Sequence, residues 1–199
     1  MNLNIELKHN IFNKNEALDG GALYLFNTLE NNNIPAYYMK LENNTFYNNF
    51  AKNFGGAIYM DFNKFDLLSI KNNNIYDNNA GIMGGGLFSF NLNSTFSDND
   101  MKIFNNTAYS LNNDYSSKPS LIFLKTELTE KNLNITSGNH LSLLFYLYDE
   151  YGNVINDISK FYSDISVRVV FEEITNEINK NEEENVNLLG NICNFVNGN

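Results

Sequence analysis

The feature that most constrains this chain is a degenerate repeat that pairs two short motifs. An apolar residue is followed three positions later by Asn, as Phe12/Asn15, Phe46/Asn49, Ile75/Asn78 and Ile103/Asn106. A glycine pair comes next: Gly20-Gly21-Ala22-Leu23, Gly55-Gly56-Ala57-Ile58 and Gly84-Gly85-Gly86-Leu87, then a decayed copy, Asn112-Asn113-Asp114-Tyr115. The anchors lie 34, 29 and 28 residues apart. A sequence that repeats itself at such a period builds a stack of like units. The longer first interval fits an outward loop at Asn31-Asn32-Asn33-Ile34-Pro35, because each unit of a stack touches only its neighbours.

Each unit reads as short strands separated by Asn and Gly turn signals. Ala22–Phe26, Ala57–Met60 and Gly86–Phe90 are rich in β-formers and too short for helices. Strands and turns alone, at nearly thirty residues per unit, suit one rung of a parallel β-helix. Corresponding residues of successive rungs then lie about 4.8 Å apart. Asn15, Asn49, Asn78 and Asn106 are expected to form an amide ladder along the axis. Asn is also expected there because it tolerates the left-handed backbone of a corner. The pairs Gly20/Gly21, Gly55/Gly56 and Gly84/Gly85 allow a bend where a side chain would strike the next rung. Ala17, Ala51, Ala80 and Ala108 fit inward positions at a narrow corner, and the anchors with Leu23, Ile58, Leu87 and Tyr115 are expected to fill the core.

Phe-x-x-Asn with Gly-Gly-Ala-Ile/Leu, over about residues 10–116, resembles the repeat pair of chlamydial polymorphic outer-membrane proteins, whose passengers are β-helical. It is also similar to the repeats of large Asn-rich surface proteins of ciliates. The resemblance implies a right-handed, pectin-lyase-like parallel β-helix of about four rungs. It also implies a cell-surface or secreted protein with an adhesive role.

The repeat stops after Tyr115, and Ser116-Ser117-Lys118-Pro119 is a composition break. Two modules are therefore expected, the β-helix over 1–116 and a β-rich module over 117–199. In the latter, Leu121–Leu124, Leu141–Tyr148 and Ser166–Phe171 read as strands, and Asp149-Glu150-Tyr151-Gly152-Asn153 as a turn. This pattern resembles bacterial-type immunoglobulin-like modules and implies a partial β-sandwich. Asn176–Asn187 reads as a solvated loop. A chain starting directly on a rung, with an uncapped β-helix end, is expected to be a fragment of a longer protein.

Composition narrows the function. Asn accounts for 41 of the 199 residues, yet hydrophobic residues make up 43% and recur at fixed offsets from the Asn, which argues for a packed core. The net charge of −10 divides into −4 over residues 1–116 (seven Lys, eleven acids) and −6 over the rest (six bases, twelve acids). Neither half can neutralise phosphates, so nucleic acid is not expected as a partner. Residues 1–12 are not a signal peptide, and no run reaches the ~18 apolar residues of a membrane helix. Membrane attachment is expected only through regions absent from this chain.

Catalytic constellations are not legible. Glycan-cleaving β-helices resemble one another in clustered Asp on adjacent rungs, or in an Arg base with carboxylate-bound calcium. Residues 1–116 contain no Arg; Asp98 and Asp100 form a local pair, while Asp61, Asp66 and Asp77 fall at different phases. His9 and His140 lie in different modules, short of a zinc set. Asp149 and Glu150 read as a turn before they read as a calcium site. Cys193, the single cysteine, cannot form an internal disulfide and is expected to be buried. Sequons mark Asn43, Asn93 and Asn134 as glycosylation candidates, while Asn105 stands beside the ladder.

The expectation is a non-enzymatic, extracellular module without cofactors. It would act as spacer or display element, with the loop at Asn31–Ala36 and aromatics such as Tyr37 and Tyr38 meeting a surface protein or glycan. The alternatives are a glycan-binding or glycan-cleaving β-helix and an intracellular scaffold.

Overall fold

The computed structural model describes residues 3–26, 37–61, 67–89, 100–109, 111–127, 136, 138–170 and 188–195, all of them strand, turn or irregular, with no helix among them. The first pass of the chain contributes β1 (Leu3–Lys8), β2 (Ile11–Asn13), β3 (Glu16–Ala17) and β4 (Leu23–Phe26). The second contributes β5 (Tyr37–Glu42), β6 (Thr45–Tyr47), β7 (Phe50–Ala51) and β8 (Ile58–Asp61). The third contributes β9 (Leu67–Lys71), β10 (Asn73–Tyr76), β11 (Asn79–Ala80) and β12 (Leu87–Ser89). The fourth begins with β13 (Met101–Phe104) and β14 (Thr107–Ala108), turns back through β15 (Leu111–Asn112), and ends with β16 (Tyr115–Ser116).

Like strands of successive passes pair with one another. Sheet 1 is β1-β5-β9, sheet 2 is β2-β6-β10-β13, sheet 3 is β3-β7-β11-β14-β15, and sheet 4 is β4-β8-β12-β16. Every pairing between passes is parallel; β15 alone runs antiparallel, to β14. The register follows the sequence repeat: Phe12, Phe46, Ile75 and Ile103 are Cα partners in sheet 2. Ala17, Ala51, Ala80 and Ala108 are partners in sheet 3, and Leu23, Ile58, Leu87 and Tyr115 in sheet 4. This is an all-β arrangement of parallel sheets, compatible with a solenoid-like class.

The core lies between the four sheets. Met39, Leu41, Phe46, Ile58, Met60, Ile75 and Leu87 are buried and pack in one cluster, with Phe12, Leu23 and Ile103 partly buried against it. Tyr115 departs from the expected core role and is exposed. It sits on the last strand of sheet 4, and its ring meets Tyr151 edge-on at 5.1 Å.

Three corners are short and one varies. Residues 9–10, 43–44 and 72 join sheet 1 to sheet 2, and 14–15, 48–49, 77–78 and 105–106 join sheet 2 to sheet 3. Sheet 4 leads to the next pass through residues 27–36, 62–66 and 90–100. The largest length variation falls at that corner; the glycine corner is one residue shorter in the first pass, where Ala17 to Leu23 spans six positions against seven for Ala51 to Ile58 and Ala80 to Leu87. The expected insertion at 31–35, like Tyr37's side chain and the loop 176–187, lies outside what the described residues cover.

The tight corners need a left-handed residue, and it is not the ladder Asn itself. Lys14, Asn48, Asp77 and Asn105, each one position earlier, have φ of 58°, 54°, 54° and 58°. The sharp turn at that residue lets the following Asn point inward. Asn and Asp are enriched there because they tolerate this region best.

The remaining strands are β17 (Pro119–Leu124), β18 (Phe145–Asp149), β19 (Ser166–Arg168) and β20 (Ile192–Asn194). They form two antiparallel pairs, β17-β18 and β19-β20. Residues 141–144 fall outside the strand expected there. Phe145, Leu147, Ile155, Tyr162, Ile165, Val167 and Phe195 pack with Phe54, Tyr59, Ile82, Met83 and Phe88 in a second cluster. This half therefore covers part of the outer side of the repeat.

A substitution at the glycine corner tests the stacking. A Cβ on Gly56 would run into the carbonyl oxygen of Gly85 and the main chain of Asn79. Gly56→Ala is expected to lower the unfolding free energy by about 2–3 kcal/mol, read as a drop in the urea midpoint without a change in slope.

Candidate functional site

The most elaborate polar construction among the described residues is internal. Asn15 donates its main-chain N–H and its Nδ2–H to Asn49 Oδ1 at 3.0 and 2.9 Å. Asn49 does the same to Asn78 at 2.9 and 2.9 Å, and Asn78 to Asn106 at 3.0 and 2.9 Å. Each Nδ2 also donates backward to the anchor of the previous pass: Asn49 to Phe12 O, Asn78 to Phe46 O and Asn106 to Ile75 O, all at 3.0 Å. Both amide hydrogens and both lone pairs of Asn49 and Asn78 are thus used. That is how they lie 1% exposed, and Asn106 0%, without a desolvation debt.

A second ladder runs five residues ahead of the first. Asn10 donates N–H and Nδ2–H to Asn44 Oδ1 at 3.0 and 3.1 Å, and Asn44 to Asn73 Oδ1 at 3.0 and 3.0 Å. Their Nδ2 groups reach Leu7 O and Leu41 O at 2.8 and 2.9 Å. Left-handed His9, Asn43 and Asn72 precede them. The fourth pass carries Met101 at this phase, and the Asn73 N–H goes instead to the carbonyl of Asp100. Sequence reasoning missed this ladder although Asn10, Asn44 and Asn73 repeat at the same 34 and 29 residue intervals. It looked for four copies and this position has three.

The glycines alternate in purpose. Gly20, Gly55 and Gly84 adopt φ of 59°, 65° and 65°. Gly21, Gly56 and Gly85 have no room for a Cβ, because main chain of the second, third and fourth pass respectively lies in its place.

Outward-facing aromatics form two further columns. Tyr47, Tyr76 and Phe104 stack on sheet 2 with centroids 5.5 and 5.3 Å apart and planes within 12°. Tyr24, Tyr59 and Phe88 stack on sheet 4 at 4.9 and 5.6 Å. Rings stacked this way cover one another's faces and present edges to solvent. Phe88 is 1% exposed under the second cluster, whereas Tyr24 at the first pass is 50% exposed. Burial pushes the phenols of Tyr24 and Tyr59 up from their ordinary value.

Asp149 joins the halves. It is 3% exposed. Oδ1 accepts the N–H groups of Tyr151 and Asn153 at 2.9 and 2.8 Å. Oδ2 accepts from Ser117 N, Asn153 Nδ2 and Ser116 Oγ at 3.2, 3.2 and 3.4 Å. Hydrogen-bond donors fill this carboxylate, so its surroundings are those of a turn and not of a cation. The Tyr151 hydroxyl sits 2.6 Å from Ser89 Oγ, and burial pushes its phenol up to about 12.

The candidate acids do not converge. Asp61 ends β8 on sheet 4, where burial raises its carboxyl pKa. Asp77 stands at the corner of sheets 2 and 3, bonded to Asn105 Nδ2. Asp100 lies before β13, and Asp66 and Asp98 fall outside the described residues. Among the described residues no group of three or more His, Cys, Asp and Glu side chains could hold a metal ion. His9 and His140 are both exposed. Cys193 is exposed on β20, against the expected burial, because among the described residues β20 pairs with β19 alone. Asn43 is exposed at a corner; Asn93 and Asn134 lie outside the described residues.

Compared with known proteins, the chain matches no family model, no curated protein and no solved structure.

The ladder makes a specific demand on residue 78. Asn78→Asp replaces a double donor by a buried carboxylate facing Asn106 Oδ1 and Phe46 O. It is expected to cost about 3–5 kcal/mol at neutral pH. Burial raises the new carboxyl's pKa, so the loss shrinks as pH falls through that value. Asn74→Asp, on the outward face of the preceding strand β10, is expected to cost about 0.5 kcal/mol or less. Urea unfolding of both variants against pH checks this.

Proposed function

We infer that this protein is a structural module, a right-handed parallel β-helix of the pectin-lyase-like type carrying a partial immunoglobulin-like sandwich. It works as a stiff spacer or display element of a larger cell-surface or secreted protein. The observation that carries this reading is where the chain spends its polar groups. Among the described residues the buried side-chain amides are turned inward and consumed by the stack, while the connections from sheet 4 to the next pass, residues 27–36, 62–66 and 90–100, differ most in length. A frame with fixed corners and one variable side presents loops without altering its core. The Phe-x-x-Asn and Gly-Gly-Ala-Ile/Leu resemblance supports a surface setting. The two antiparallel pairs after Pro119 are compatible with part of a sandwich.

The reading also holds that the protein is not an enzyme and that its partner is a surface protein or a glycan met through those loops. Its rival is a glycan-active β-helix. Incubation with pectin-like polymers is expected to release no reducing ends. Release that Asp98→Ala abolishes would sink the reading. On a carbohydrate array, retention of a defined glycan would move the protein from spacer to lectin-like module.

A further inference from the structure

The fourth pass lacks two of the devices that hold the others in line. It carries no glycine pair at its corner, and Met101 stands where the second ladder would continue. Its strand in sheet 4 pairs with β12 over two residues, Leu87 with Tyr115 and Phe88 with Ser116. The first ladder stops inside it, where Asp114 Oδ1 accepts from Asn106 N and Nδ2 at 2.7 and 2.9 Å. A carboxylate only accepts, so no further amide follows in the line. From outside, this pass is gripped by one continuous stretch of the second half, residues 149–162.

The stretch has two anchors, each folded by a carboxylate that is 3% exposed. Asp149 closes the first turn on the N–H groups of Tyr151 and Asn153, and reaches across to Ser116 Oγ and Ser117 N. Glu150 N donates to Ser117 Oγ at 2.8 Å. The Tyr151 hydroxyl meets Ser89 Oγ on the third pass, while its ring meets Tyr115 on the fourth. Asp157 closes the second turn. Its Oδ1 accepts from Phe161 N and Ser159 Oγ at 2.8 and 3.0 Å, and its Oδ2 from Tyr162 N at 2.6 Å. That turn lays Phe161 edge-on against Phe54 of the second pass, with centroids 5.0 Å apart. Between the anchors Ile155 is buried in the cluster that holds Phe54, Met83 and Phe88. Its N–H bonds to Leu147 O, which ties the stretch to β18. One short segment therefore touches three consecutive passes, each about 4.8 Å from the next.

We propose that residues 149–162 are an external strap that ties the second, third and fourth passes together, so that these passes and the second half open as one unit. The strap deepens the stiff-spacer reading and rests on it for its use. A rod whose last pass is thinly stacked opens first at that pass, and a strap across the outer side of sheet 4 suppresses the opening. The ladders hold the register from within; the strap resists separation from without.

Native-state hydrogen exchange on the full chain tests this. Asp149→Ala is read at amides that Asp149 does not itself accept. The N–H of Gly85 donates to Asn113 O, and those of Gly86 and Leu87 to Asp114 O, so all three report the contact between the third and fourth passes. They are expected to exchange about tenfold faster or more, together with the N–H of Ile155 in the strap. The N–H groups of Asn43 and Asn74, bonded to Lys71 O and Asn44 O, are expected to keep their wild-type rates. Tyr151→Phe removes only the hydroxyl at Ser89 and is expected to give the same pattern at smaller size, which preserves the test if Asp149→Ala does not fold. Faster exchange at Ile155 alone overturns the proposal, because the second half then opens as an independent module. A uniform rise that includes Asn43 and Asn74 also overturns it, because the contact then supports the whole fold and fastens no particular passes. Neither result alters the pectin or array assays, so the strap and the display reading fail separately.

Discussion

An asparagine side chain carries two donors and two acceptor lone pairs, and burying it unpaired costs roughly 2–7 kcal/mol. In this protein Asn44, Asn49, Asn73, Asn78 and Asn106 are all buried. Such a set is tolerable only if each amide finds partners on both sides along one line. In-register parallel stacking provides them: one neighbour ahead supplies Oδ1, one behind supplies a carbonyl, and the preceding amide fills the lone pairs. The fold depends on this constraint more than on the apolar core. A core of Met, Leu, Ile and Phe tolerates exchange of one apolar residue for another with repacking, whereas a ladder Asn has no substitute that keeps both its donors and its acceptors in line.

The same constraint explains the shape of the repeat. Corners that carry ladder Asn keep the same length from pass to pass, because a longer corner would move the Asn out of line. The glycine corner is fixed by main-chain contact between passes, as at Gly56 against Gly85. The corner between sheet 4 and the next pass bears neither device, and there the sequence varies most in length. The outward columns Tyr47-Tyr76-Phe104 and Tyr24-Tyr59-Phe88 follow from the register rather than causing it, since residues one strand spacing apart stack whatever their chemistry.

Much of the repeat was legible because a periodic sequence supplies its own alignment. Phe12, Phe46, Ile75 and Ile103 could be laid side by side without knowing any structure, and they are partners in sheet 2. Other features followed the period but were hidden by position. Asn10, Asn44 and Asn73 escaped because Met101 breaks the fourth copy. The left-handed residue was placed on the ladder Asn and stands one earlier, at Asn48 or Asp77, since two adjacent Asn give no sign of which one turns. Tyr115 holds the register of Leu87 yet faces solvent at the end of its sheet, where no further pass covers it. The second half offered no internal copy. Its antiparallel pairs join Ser166–Arg168 to Ile192–Asn194 across a long stretch of chain, and Cys193 was misjudged because burial there depends on partners that local pattern does not name.

Hydrogen exchange of the Asn side-chain amides by NMR tests the central claim most directly. If buried ladders hold the passes together, the Nδ2 hydrogens of Asn44, Asn49, Asn73, Asn78 and Asn106 exchange only with global unfolding, while the exposed Asn43 and Asn48 exchange as in an unstructured peptide. Exchange of the first set as fast as the second would contradict the account.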